Sequence, residues 1–282
     1  HYWFVKAERK AALMVKTMRK NLHWNMNNIT VNQMNEHVYR INEKDENGLN
    51  VDCYLVLGNQ KAALIDTLQE EENLYDIVKE ITSLPLIVLL THAHPDHAGK
   101  ACQKLIAKHV PVYMQKEDQS LLDLFVNDEW KNEITLIEGN EVFDLGEYTL
   151  KTLRVPGHTK GSLVFLNEEH EEVFTGDAIG SGGFWMQLDH CLPLHEYKKN
   201  VEHLYEILHS YVHLQLFFGH SEQSNGIQNI QYINDNMEAT DKIIQGELTS
   251  PVKTMCVGGN AIPYCSISYG LIYDYCYNPD NL

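Results

Sequence analysis

Short apolar runs separated by turn residues recur along this chain, and they predict its strands. Val38-Tyr39-Arg40-Ile41, Cys53-Tyr54-Leu55-Val56-Leu57 and Ala62-Ala63-Leu64-Ile65 read as successive strands, with Gly58-Asn59 as a hairpin turn. Leu74, Ile77, Val78, Ile81 and Leu84 then fall at helical spacing on an acidic segment. That helix leads into Leu86-Ile87-Val88-Leu89-Leu90, a run that reads as a buried strand. Further helices are expected over about 98–109, 195–210 and 227–246, alternating with strands that end at Val155, Phe174 and Phe218. Near the C-terminus Cys265, Ile267, Tyr269, Leu271, Tyr273, Tyr275 and Tyr277 alternate as one face of a single strand. The pattern predicts an α/β sandwich in one domain over 29–282, with no linker inside it.

The first residues follow another pattern. Lys6, Arg9, Lys10, Lys16, Arg19 and Lys20 stand against Glu8, and Ala7, Ala11, Met14, Met18 and Leu22 recur at helical spacing. This predicts a basic amphipathic extension over 1–28. A helix packed on the domain is the plainer reading of it, and an anchor on a membrane surface or partner is the other.

Charge and cysteine content narrow the function. The 282 residues carry 39 acidic and 22 basic side chains, a formal charge of −17, which argues against a nucleic-acid partner. No apolar run approaches the roughly 20 residues of a membrane span. The six cysteines form no C-x-x-C pair, which argues against a zinc ribbon or redox motif and fits reduced thiols in the cytoplasm.

The chemistry concentrates in Thr91-His92-Ala93-His94-Pro95-Asp96-His97, where four metal-competent side chains directly follow a buried strand. Pro95 argues against a helix through the cluster, so a loop is expected there. Three more candidates stand where an apolar run gives way to a turn: His158 in Pro156-Gly157-His158, Asp177 after Gly176, and His220 after Phe217-Phe218-Gly219. Taken singly, each of these three is an ordinary turn residue. Sites gather where several strands end on one side, and that favours reading them together.

In order and spacing, His92-x-His94-x-Asp96-His97, His158, Asp177 and His220 resemble the metallo-β-lactamase-fold superfamily, above all its glyoxalase II-like hydrolases, over roughly residues 30 to 250. The resemblance implies a four-layer αββα sandwich and two metal ions, zinc with iron or manganese as alternatives. It implies His92, His94 and His158 on the first metal, Asp96, His97 and His220 on the second, Asp177 bridging both, and Asp66 beneath them. Asp66 has a plain alternative, an Asx-turn at a strand end. The loop Ile179–Met186 is expected over the metals, with Ile179, Phe184, Trp185 and Met186 as candidate substrate contacts or, equally, as core. Tyr269 is a further candidate for the cleft or for a dimer contact.

The function implied is a dinuclear-metal hydrolase. A metal-bridging hydroxide would attack a small ester, thioester or lactone, with Asp96 and Asp177 as the catalytic carboxylates. Two alternatives differ in class: a mononuclear iron persulfide dioxygenase using His92, His158 and Asp177, and a non-catalytic metal-binding homologue. The close relatives each leave a gap. Position 180 is glycine where lactonases of this kind carry tyrosine, and after Lys242 only Lys253 is basic, where glyoxalase II uses several cations on glutathione.

Overall fold

The structure is a computed structural model that describes residues 25–26, 28–44, 50–70, 73–126, 128–224, 226–257 and 259–282. The basic helix expected in the first 22 residues lies outside the described residues. One sheet has eight strands in chain order: β1 Asn25–Met26, β2 Ile29–Gln33, β3 Val38–Lys44, β4 Asn50–Leu57, β5 Ala62–Ile65, β6 Leu86–Leu89, β7 Val112–Gln115 and β8 Thr135–Ile137. Its first five strands pair antiparallel, and β5 to β8 pair parallel. The change of direction comes where helix α1, Leu74–Ile81, provides the first crossover between parallel neighbours. Two more helices, α2 Pro95–Ala98 and α3 Lys100–Ala107, fill the next crossover, and α4, Gln119–Phe125, the one after.

The second sheet holds β9 Val142–Asp144, β10 Thr149–Arg154, β11 Leu163–Asn167 and β12 Glu172–Gly176, with β14 Gln215–Phe218 added parallel to β12 at its edge. Between them lie β13, Gly183–Met186, and helix α5, Leu194–Leu208. Helix α6, Ile230–Ile244, follows β14.

Side-chain parity builds the layers, because alternate residues of a strand face opposite sides. Tyr54, Val56, Ala63 and Ile65 of the first sheet meet Leu163, Phe165, Phe174 and Phe217 of the second in a core between the sheets. Their neighbours Cys53, Leu55, Ala62 and Leu64 turn outward onto α1, α3 and α4. On the far side Val164, Leu166, Val173, Leu216 and Phe218 face α5 and α6. The result is the expected helix-sheet-sheet-helix sandwich. Each fully buried Val, Leu, Ile or Phe among them contributes on the order of 1.5–3 kcal/mol.

The C-terminus departs from its alternation pattern. The single strand face expected from Cys265 to Tyr277 is two antiparallel strands, β16 Asn260–Tyr269 and β17 Ile272–Tyr277, because the chain reverses at Gly270-Leu271. With β15, Lys253–Val257, and with β13 parallel to β17, they form a third, four-stranded sheet. Its inner residues Ile262, Cys265, Ile267 and Tyr275 extend the outer core over α6. Among the described residues no helix is long and apolar enough to cross a membrane.

Candidate metal centre

Six chain segments deliver the candidate side chains to one edge of the sandwich. Asp66 follows β5, His92 and His94 follow β6, His158 follows β10, Asp177 follows β12 and His220 follows β14. Asp96 and His97 stand on α2, which corrects the expected loop. Pro95 starts this single helical turn instead of preventing it, because the first helical position needs no N–H donor and favours the proline φ. Gly219 has no room for a side chain: a Cβ there would lie 2.4 Å from Asp177 Oδ1 and 2.7 Å from His97 Cε1.

The structure gathers the seven residues into two groups. His92, His94 and His158 form one, and Asp96, His97, Asp177 and His220 the other, with one ligand atom per residue all within 4.8 Å inside each group. Asp177 Oδ2 joins them. It lies 3.2 Å from His220 Nε2, 3.6 Å from His97 Nε2 and 3.8 Å from His158 Nε2. Asp66, His92 and His97 also fall within 4.8 Å. Both Asp66 oxygens, however, are engaged by hydrogen bonds from Thr91 N (2.6 Å), Thr91 Oγ1 (2.7 Å) and His97 Nδ1 (3.0 Å), so Asp66 reads as a support.

The outer partners fix the imidazole tautomers. A carbonyl can only accept, so His158 Nδ1–H donates to Trp185 O at 2.8 Å and His220 Nδ1–H donates to Asn50 O. The Thr91 hydroxyl donates to Asp66, which leaves its oxygen to accept from His92 Nδ1–H at 3.0 Å. His97 Nδ1–H donates to Asp66. In His92 and His158 the inward Nε2 then carries a lone pair, and in His97 and His220 the inward Nε2 is the atom that gives up its proton when a cation enters. His92 Nε2, His97 Nε2 and Asp177 Oδ1 are buried with no hydrogen-bond partner. Buried polar atoms without partners are costly, and a cluster of inward lone pairs is relieved by a cation. Imidazoles and carboxylates suit a divalent ion of the zinc type. The residues fit a metal.

The electrostatics agree. Burial, reinforced by neighbouring imidazoles, lowers His92 and His94, and burial lowers His158 despite Asp177, so these rings are neutral and ready to bind. Burial alone would also lower His97 and His220. Their carboxylate neighbours, Asp96, Asp177 and Asp66 about His97 and Asp177 and Asp96 about His220, outweigh it and raise both. Asp96 and Asp177 are held ionised by the same two rings in spite of burial. A cation entering this group therefore displaces protons from His97 and His220.

Three supports carried no signal in the sequence. Asp118, in the polar stretch Gln115–Ser120, accepts hydrogen bonds from Ala93 N (3.0 Å), Thr159 Oγ1 (2.9 Å) and Gly161 N (2.6 Å), tying the His92–His94 segment to the His158 turn. Asp52 accepts from Ser221 N at 2.7 Å and holds the His220 segment to β4. His190 places its Nε2 2.6 Å from His94 Nε2. Burial, with help from His158, holds the His190 pKa down to about 4.

His94, Asp96, His158, Asp177 and His220 face a cavity of about 620 Å³. Phe125, Phe184, Trp185, Leu188 and Val257 make its apolar wall, and Glu43, Lys44, Asn50 and Glu70 stand on the polar side. Phe184 and Trp185 both line the cavity, and Phe184 is at the same time part of the outer core. Ile179, Met186 and Tyr269 do not line the cavity. Ile179 and Met186 are buried in the outer core, since β13 alternates and sends Met186 inward where Trp185, 43% exposed, points to the cavity. Tyr269 ends β16 and donates to Glu238 Oε2 on α6 at 2.5 Å.

Asp66 is held in a left-handed backbone conformation, φ 59°, by these contacts. Asp66→Ala removes the partners of Thr91 and His97. It is expected to weaken metal binding by about 10–100-fold, the usual cost of losing an outer partner, measured by chelator competition.

Comparison with known proteins places this geometry. The family model for the metallo-beta-lactamase superfamily matches residues 47–220. The hydroxyacylglutathione hydrolase GloC of Haemophilus influenzae is 32% identical over 148 residues, 46% of this chain and 68% of that protein. A probable metallo-hydrolase, YqgX of Bacillus subtilis, is 30% identical over 145 residues, 48% of this chain and 69% of that one. Among solved structures, a metallo-beta-lactamase from Erythrobacter litoralis superposes with a TM-score of 0.60 at 15% identity, over 78% of this chain and 99% of that one, which is a likeness of fold.

Proposed function

This chain belongs to the metallo-β-lactamase superfamily, whose members are metallo-hydrolases, and from that premise we propose that it is a dinuclear-metal hydrolase of a small thioester, ester or lactone. The observation that carries the reading is the convergence of five imidazoles and two carboxylates, with His94, Asp96, His158, Asp177 and His220 facing one cavity and His92 and His97 buried behind them. His92, His94 and His158 would hold one metal and Asp96, His97 and His220 the other, with Asp177 shared. When bound, such a pair supplies a hydroxide at neutral pH and polarises the scissile carbonyl.

The remaining work falls to the protein. Asp96, partly exposed to the cavity and kept ionised by His97 and His220, is placed to accept a hydrogen bond from the attacking water and aim its lone pair. Asp177, ionised between the groups, offsets the positive charge gathered there. Phe184 and Trp185 shield one side of the floor from solvent, and with Phe125, Leu188 and Val257 they offer an apolar bed for an acyl group. The Haemophilus influenzae relative is named for hydrolysing a hydroxyacylglutathione, which is a thioester, so thioesters come first.

The test is elemental analysis of protein purified without added metal or chelator, followed by a panel of thioesters, esters and lactones. About two zinc per chain, with turnover of at least one panel member, is the expected result. Two metals with no cleavage of any member would sink the hydrolase reading. About one iron per chain with oxygen uptake on a persulfide would replace it by the dioxygenase.

A further inference from the structure

Five imidazoles carry the proposed metal centre, and four are oriented by acceptors other than an imidazole: the Thr91 hydroxyl, the Asp66 carboxylate and the carbonyls of Trp185 and Asn50. His94 is the exception. Its Nδ1 lies 2.9 Å from His158 Nε2, and its Nε2 lies 2.6 Å from His190 Nε2. His158 Nε2 bears no proton, because that ring donates from Nδ1 to Trp185 O. Without a metal the lone pair on His158 Nε2 can accept from His94 Nδ1; with a metal held by His158 Nε2 and His94 Nδ1 together, the remaining His94 proton would stand on Nε2, facing His190.

We propose that His190 is a positioning residue: its Nε2 accepts the Nε2–H of His94, which turns the His94 Nδ1 lone pair inward as a metal ligand. The proposal rests on reading His94 as a ligand.

The surrounding chain is built to hold His190 there. Leu192 N donates to Gly157 O at 2.8 Å, and Cys191 Sγ donates to His158 O at 3.3 Å, so the segment after β13 is fastened to the His158 turn. Leu194 N donates to Asn281 O at 3.0 Å and anchors its far end. His158 and His190 thus belong to one fastened unit that grips the His94 ring at both nitrogens. The two outer rings stand 4.6 and 4.7 Å from it, centroid to centroid. An imidazole acceptor also suits the charge balance. Outer partners of metal-binding histidines are commonly carboxylates. Asp66, Asp96 and Asp177 already crowd this centre, and a neutral acceptor orients His94 without adding a fourth negative charge.

The zinc-loaded full chain, labelled with nitrogen-15, reads the proton directly. The expected spectrum shows His94 protonated at Nε2 with a coupling across the hydrogen bond to His190 Nε2. A His94 ring protonated at Nδ1, or no coupling between the two rings, overturns the proposal. Zinc competition with a chelator gives the second readout. His190→Ala is expected to weaken binding by about 10–100-fold. His190→Gln, which keeps an oxygen acceptor, should recover most of that loss, whereas a glutamine variant as weak as the alanine one contradicts an acceptor role. His94→Ala separates the two levels. If it leaves zinc affinity unchanged, the metal reading itself fails; if it weakens binding while His190→Ala does not, only the role of His190 fails.

Discussion

On the proposed dinuclear reading, replacing Asp177 by alanine is expected to leave the chain with about one bound cation instead of two and to lower kcat/KM on its substrate by on the order of 10³-fold. The geometry sets the size of the effect. Asp177 Oδ2 is within 3.8 Å of His158 in one ligand group and of His97 and His220 in the other, and Oδ1 is buried without a partner. Losing this carboxylate removes a ligand from the group of four and leaves the charge of two cations unshared. Asp177→Asn keeps the shape and one oxygen but loses the charge, so it should fall between wild type and alanine in both metal content and turnover. Metal analysis and steady-state kinetics on one preparation of each protein check the order. An alanine variant that keeps two metals and full turnover would remove Asp177 from the centre.

Much of this centre could be read from the chain because its members announce themselves locally. Four metal-competent side chains within six residues after a buried run have no packing explanation, and His158, Asp177 and His220 each stand where an apolar strand gives way to a turn. The α/β sandwich was legible from apolar runs alternating with helical stripes, while its four αββα layers came from the resemblance carried by the order of the metal-competent residues. What stayed hidden depends on contacts distant in sequence. Asp118 lies 25 residues from Ala93 and 43 from Gly161, in a polar stretch that looks solvent-facing, yet it is buried. His190 follows Asp189 in an irregular segment, and only the folded chain brings it to His94. The C-terminal aromatics misled because their alternation runs unbroken through Gly270-Leu271, where the backbone reverses. At Pro95 the rule that proline stops a helix was applied to the one helical position that accepts it.

Asp118 carries the second large expected effect. Asp118→Ala leaves the N–H groups of Ala93 and Gly161 buried without their acceptor, while Thr159 Oγ1 retains Ser162 Oγ at 2.9 Å. Two orphaned donors at about 1–3 kcal/mol each put the loss of stability at about 2–6 kcal/mol, measured by denaturant unfolding of the metal-free chain. The loss should not stop at stability, because this carboxylate joins the segments that carry His92, His94 and His158. On the proposed two-metal reading, metal binding to that group should weaken more than binding to the group of Asp96, His97, Asp177 and His220, so the variant should pass through a one-metal state during chelator titration. Equal weakening of both groups would show that Asp118 supports the fold and not the geometry of the first site. Its titration adds a separate signature. Burial, opposed by the three donors, pushes the Asp118 pKa up to about 6, above the ordinary carboxylate value. A folded-state pKa raised in this way stabilises the fold fully below about pH 4, and that contribution disappears as the pH rises through about 6. Asp118→Asn removes the titrating group. The stability difference between wild type and this variant should therefore shift against wild type between about pH 4 and 6, and stay level above that window.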